Sequence, residues 1–243
     1  MRLPFARPSS PTPFDAAPHG APGAPAADAS LLVSAERAAA ERRVEPGVDI
    51  VLVRRRLPAQ VADAAARRSA FGPVFGVGAK VDVASSHQEM LSGRLDELGD
   101  GPLRQQVATD IVTLTRTWGA LTGRRHARAR ISLVDSDNCR KLHNDALDLR
   151  ILVTYVGPGT WLVPEEARDR SFGGVPGEPE SSNRRICPDP AWLVQAGAGD
   201  VVFLKGLRWG TGARGAVHRS PAVAGTGARR LVLLSTVDGL AEN

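Results

Sequence analysis

Cysteine, tyrosine and lysine are scarce in this chain of 243 residues, which holds two, one and three of them. Two cysteines, Cys139 and Cys187, cannot build a disulfide framework, and thiols kept reduced in a cytoplasm are the simpler reading. Aromatic residues make up only 5%, and none interleaves with the basic cluster Arg124, Arg125, Arg128 and Arg130. Stacking platforms for single-stranded nucleic acid are therefore missing, and that cluster reads as a solvated face. Long apolar runs are absent as well. The greasiest segments, Val48 to Val53 and Leu231 to Val237, fall far short of the roughly 18 residues of a membrane helix, so a soluble protein is expected. Prolines interrupt every apolar run from Pro4 to Pro25, which argues against a secretory signal. No phosphate-binding G-x-x-x-x-G-K-S/T loop, no G-x-S-x-G elbow and no C-x-x-C pair occurs.

What the chain does have is arginine, 28 residues, and a hydrophobic fraction of 42% that excludes global disorder. The formal charge of +5 is carried almost wholly by arginine in an Ala-, Gly- and Pro-rich background, which reads as compositional bias rather than as a nucleic-acid footprint. Residues 1–30 contain 7 of the 18 prolines and 8 alanines without apolar period, and are expected to be a disordered tail. Residues 31–243 are expected to form a single domain, with a helix-rich support over 31–123 and a β core over 124–243.

Within the support, Ala35 to Arg43 permits a helix, Val48 to Val53 reads as a strand, and Pro58 suits the first turn of a helix to about Ala70. Ala79 to Val83 alternates like a strand. Ser86 and Glu89 have capping-box spacing for a helix to Leu98, which explains His87-x-Glu89 better than a metal site does. After Pro102, Leu103, Val107, Ile111, Leu114, Trp118 and Leu121 recur at helical spacing until Gly123, so Trp118 is expected in the core rather than against a cofactor. Beyond Arg124 the texture turns to short strands near Arg128–Val134, Leu149–Val156, Thr160–Val163, Val201–Lys205, Ala216–Arg219 and Arg230–Val237. Residues 164–190 read as a long loop. Helices first and strands afterwards predict an α+β fold whose core is an antiparallel barrel or jelly roll with helices packed outside.

The chemistry concentrates in a few residues. His143-Asn144-Asp145 sets an imidazole and a carboxylate at i and i+2, on one face of an extended segment. Downstream come Gly199-Asp200, the strand Val201 to Lys205, His218, and Arg229-Arg230 opening the last strong strand. This order resembles that of the iron(II) and 2-oxoglutarate dioxygenases, whose double-stranded β-helix, a cupin-like barrel, holds two histidines and one carboxylate in a facial triad. The resemblance implies His143, Asp145 and His218 as metal ligands, ferrous iron and 2-oxoglutarate as cofactors, and an arginine fork for the far carboxylate of the keto acid. Alternation lets only one of Arg229 and Arg230 enter the barrel; Arg230 is favoured because its face continues with Val232 and Leu234.

Two blocks, Cys139 to Asp145 running on through Thr160, and Val202 to Gly206 continuing through His218-Arg219-Ser220-Pro221 to Leu234, resemble the bacterial domain of unknown function family 1826 over about Val48 to Asp238. That family implies a metal theme without choosing the metal. The Arg-x-Ser pattern frequent on the last strand of better-known dioxygenases is missing, since Arg230 is followed by Leu231-Val232. Tyr155 reads equally as a barrel residue bonding a ligand carboxylate and as strand packing. Arg150 and Lys205 are secondary anion-binding candidates. The alternative to an oxygenase is a non-enzymatic zinc-binding or cupin-like metal-homeostasis protein, in which Cys139 would join the histidines. Composition leaves the substrate, small molecule or protein, and the oligomeric state open.

Overall fold

The computed structural model describes residues 31–34, 46–84, 93–169, 171 and 177–237. The expected tail over 1–30, the helix-permissive stretch Ala35 to Arg43, and His87 with Glu89 lie outside the described residues.

Among the described residues, ten strands and three α-helices make a mixed α+β fold dominated by one sheet. The strands are β1 (Leu31–Ser34), β2 (Ile50–Val53), β3 (Phe75–Asp82), β4 (His126–Val134), β5 (Leu149–Val156), β6 (Trp161–Val163), β7 (Val194–Gln195), β8 (Val201–Lys205), β9 (Val217–Arg219) and β10 (Arg230–Val237). Seven of them form the large sheet in the order β1-β2-β8-β5-β10-β4-β3, antiparallel except for β1 on β2. The other three form a small sheet, β7-β6-β9, which a single bridge between His143 and His218 extends by one residue.

Alternation along the strands sorts their side chains onto two faces. Val51, Val53, Ile151, Val153, Val201, Phe203, Leu231 and Leu233 pack on the helix side. There they meet α1 (Ala59–Phe71) and α2 (Pro102–Thr122), whose buried stripe includes Val61, Ala65, Leu103, Val107, Ile111 and Trp118. Pro102 starts α2 in its first turn, and Gly123, at φ 67°, ends it with its N–H on the Gly119 carbonyl. Trp118 is fully buried and donates to the Leu149 carbonyl at 2.9 Å, the core role its spacing predicts. On the opposite face Ile50, Leu52, Leu152, Val202, Leu204 and Val232 pack against Leu162, Val194 and Ala196 of the small-sheet region.

Four differences from expectation have physical reasons. The segment 31–123 is less purely a helical support than its composition indicates, because β1, β2 and β3 all join the large sheet. Residues 164–190 are no plain loop: they contain α3 (Pro179–Ile186), whose Ile186 joins Leu142, Trp161, Val163 and Leu193 in a third apolar cluster. A strongly polar helix of eight residues leaves too few apolar positions for its period to show. The stretch up to Leu98 is described only from Gly93, where it is a 3-10 helix. Finally, β3 begins at Phe75, four residues before the alternating run, because glycines at 76 and 78 hide the pattern.

Candidate metal centre

His143, Asp145 and His218 each bring one ligand atom into a cluster whose members lie within 4.8 Å of one another. His218 is central in β9, and reciprocal backbone hydrogen bonds of 3.0 and 2.9 Å tie it to His143, so the bridge itself puts both imidazoles side by side. Their ring centroids are 4.5 Å apart. Asp145 follows on the same side of the extended segment, with Oδ1 3.8 Å from His143 Nε2 and Oδ2 3.5 Å from His218 Nε2. At the end of β8, Gly206 lets the chain pass close beneath this segment, since a Cβ there would sit 1.9 Å from the Leu147 carbonyl oxygen.

Proton placement is set by the backbone. His143 Nδ1 lies 2.9 Å from the Lys141 carbonyl and His218 Nδ1 lies 3.1 Å from the Ala216 carbonyl. A carbonyl oxygen only accepts, so each ring carries a proton on Nδ1 and leaves Nε2 facing Asp145. Burial, followed by the neighbouring His143 ring, holds the His218 pKa well below the ordinary imidazole range, against the opposing pull of Asp145. His218 is thus a neutral donor at physiological pH.

The donor set fits a divalent metal. Asp145 Oδ2 is buried without a hydrogen-bond partner, a costly arrangement unless something else engages it. Two neutral imidazoles and one carboxylate are the ligands that borderline ions such as ferrous iron accept at bond lengths of about 2.1 Å. Cys139 is exposed and stands outside the cluster, so nothing in the arrangement favours zinc through a thiolate. Cys187 is buried, its thiol pushed up to about 11 by desolvation.

Two arginines stand on the same inner face of the large sheet. Arg230 opens β10 and is 3% exposed; its Nε donates to the Pro158 carbonyl at 2.7 Å and its Nη2 to Thr160 Oγ1 at 3.4 Å. Burial alone depresses its pKa to about 10, with no carboxylate among the described residues to offset it. Gly157 makes this cradle. At φ 86°, it brings the β5–β6 turn so close to β10 that a Cβ would fall 2.0 Å from the Arg229 carbonyl oxygen. Arg229 points the other way, donating to the Ser69 and Gly72 carbonyls at the end of α1 at 2.8 and 2.7 Å. Arg150 opens the inner face of β5 and places Nε 2.9 Å from Asp145 Oδ2, an ion-pair contact without hydrogen-bond alignment.

Two candidates are not brought to the centre. Tyr155 alternates with Ile151 and Val153 on the helix side, where its hydroxyl donates to Asp110 Oδ2 at 2.7 Å. Asp110 also takes both ends of the Arg55 guanidinium, at 2.7 and 2.8 Å, so Tyr155 serves packing and a buried ion pair rather than a barrel ligand. Lys205 is buried with Nζ 5.5 Å from the Trp209 ring centroid, in the alternation of Val201 and Phe203 on that same helix side. The Arg55–Asp110–Tyr155 network was invisible in sequence, because its members are 45 to 55 residues apart and follow no motif.

Fold and site together define a mixed α+β protein with a candidate His-Asp-His metal centre. The chain belongs to the family described as protein of unknown function (DUF1826), whose profile matches residues 34–236. Comparison with curated proteins finds no match. Among solved structures it is similar to the dioxygenase for auxin oxidation 1 of Arabidopsis thaliana in complex with 2-oxoglutarate, at 12% identity and TM-score 0.42, over 80% of this chain and 85% of that one. It is also similar to the Fe(II)/α-ketoglutarate-dependent dioxygenase TqaL, at 12% identity and TM-score 0.47, over 82% and 84% of the two chains. A prolyl-4-hydroxylase of Pseudomonas putida matches at 12% identity and TM-score 0.38, over 83% and 98%.

Proposed function

We propose that this chain is a mononuclear iron(II) and 2-oxoglutarate-dependent oxygenase built on a double-stranded β-helix. The observation that carries the reading is the convergence of His143 Nε2, Asp145 and His218 Nε2, with Asp145 Oδ2 buried and making no hydrogen bond among the described residues. Strand order supports the barrel: β4, β5, β8 and β10 lie together in the large sheet, while the His143 segment, β6, β7 and β9 make up the small one. In chain order the barrel strands pass back and forth between the two sheets, as a jelly roll requires.

Each residue then has a task. His143 and His218 supply neutral nitrogen donors fixed in tautomer by Lys141 and Ala216, and Asp145 supplies the single negative charge. Arg230 would grip the far carboxylate of the keto acid. A buried guanidinium without a counter-charge among the described residues is expensive to keep, and a bound dianion removes that expense. Ferrous iron with the keto acid would activate dioxygen, whose reduction takes two electrons from decarboxylation of 2-oxoglutarate to succinate and two from oxidation of a substrate. His143, with a side chain 30% exposed against 5% for His218, marks the side of the centre open to that substrate.

Anaerobic addition of ferrous iron and 2-oxoglutarate should produce a visible charge-transfer band, and admission of oxygen should release succinate. Iron bound without band or succinate would sink the oxygenase reading.

A further inference from the structure

We propose that the substrate is an oxyanion, carrying a carboxylate or phosphate group, and that Arg150 is its anchor; this rests on the oxygenase reading above. Charge at the centre makes the first part of the case. Imidazoles that give their Nε2 lone pairs to a metal carry no proton there and no charge, so the side-chain charges counted at the centre are those of Asp145, Arg150 and Arg230, a net of one positive charge. A divalent ion and a dianionic keto acid cancel each other. One positive charge is left over, in a region where Arg230 is 3% exposed and the Asp145 side chain 11%. Uncompensated charge is costly there, so a third bound component bearing a negative charge is favoured over a neutral one.

Position assigns that charge to Arg150. Its Nε faces Asp145 Oδ2 at 2.9 Å, and no other partner is placed on its guanidinium among the described residues. When Asp145 gives its charge to a metal, Arg150 loses much of its only counter-ion and still presents a planar fork of donors, 26% exposed, beside the metal. Arg230 sits toward the other end of the sheet, since Leu231 pairs with Val156 while Ser235 pairs with Ile151, so the two guanidinia address different anionic groups.

The test uses the full chain loaded anaerobically with cobalt(II) in place of iron, saturated with 2-oxoglutarate, and titrated with inorganic phosphate at constant ionic strength. Cobalt visible bands and calorimetry supply the readouts. Saturable phosphate binding is expected in the wild type, weakened about tenfold or more in Arg150→Met and partly restored in Arg150→Lys, with cobalt and 2-oxoglutarate affinities kept within a few-fold. Absence of saturable phosphate binding in the wild type would overturn the proposal. So would an Arg150→Met protein that loses cobalt affinity while keeping its phosphate affinity, because Arg150 would then only prop Asp145. Failure of 2-oxoglutarate to bind cobalt-loaded wild type would instead overturn the oxygenase reading, and phosphate binding could still be read on the cobalt protein alone.

Discussion

The two faces of the large sheet bury arginine in opposite ways. On the helix side, Arg55 meets Asp110 with a two-pronged contact, and Tyr155 and Gln106 add their own hydrogen bonds to the same carboxylate. Both oxygens of Asp110 are used. On the inner side, among the described residues, Arg230 has only the Pro158 carbonyl and the Thr160 hydroxyl, Arg150 lies unaligned against Asp145, and Asp145 Oδ2 lacks a hydrogen bond. Burying a charge costs several kcal/mol unless it is paired, so the helix side is organised for folding while the inner side carries a cost that a ligand would relieve.

The sharpest way to break this comparison is to remove the helix-side acceptor. Asp110→Ala removes the buried carboxylate that holds the half-buried Arg55 guanidinium and the Tyr155 hydroxyl, and should cost about 3 kcal/mol of folding stability by urea denaturation. If the variant remains folded, it should keep its metal affinity. A loss of metal at unchanged stability would contradict the division between the faces.

Arg230→Met should behave in reverse. Replacing an unmatched buried guanidinium with an apolar side chain of similar length should leave the unliganded protein equally stable or more stable, by as much as about 1–4 kcal/mol. Binding of 2-oxoglutarate to the metal-loaded protein should weaken by something on the order of 2–4 kcal/mol. Equal co-substrate affinity in wild type and variant would remove Arg230 from the site.

His218 gives the inner face a pH signature. Its folded-state pKa lies below the ordinary value because of burial and then the nearby His143, so the unfolded chain binds the proton more readily. Stability of the metal-free protein should be fully present above the ordinary imidazole pKa and fall as pH drops below it, levelling off once the depressed value is passed. His218→Asn should flatten that part of the profile measured by thermal melting. An unchanged profile would show that another group carries it.

The smallest expected effect belongs to Tyr155→Phe. Losing one of several hydrogen bonds to Asp110 should cost about 1 kcal/mol and leave 2-oxoglutarate affinity untouched. A fall in co-substrate affinity without loss of stability would return Tyr155 to the ligand site.

Local pattern carried far in this chain. The strands Leu149–Val156, Val201–Lys205 and Arg230–Val237 and the helix beginning at Pro102 are legible in their own periodicity. That Arg229 and Arg230 turn to opposite faces also follows from simple alternation. Tyr155 resisted for the same reason that made it ambiguous: alternation says that it lies opposite Arg150 and Thr154, but not which face of the sheet the helices will cover. Arg150 could be noticed as a cation but not valued, because its worth depends on Asp145 being 2.9 Å away.

By itself, then, the order of residues determined which segments extend or coil and which side chains share a face, since both depend on periods of two and 3.6 residues within one stretch of chain. Pairing across long separations was decided only in three dimensions. The His143 to His218 bridge and the Arg55–Asp110–Tyr155 network join residues 45 to 75 positions apart, and Arg230 is kept from every carboxylate among the described residues, through sheet order and helix packing that no local period encodes.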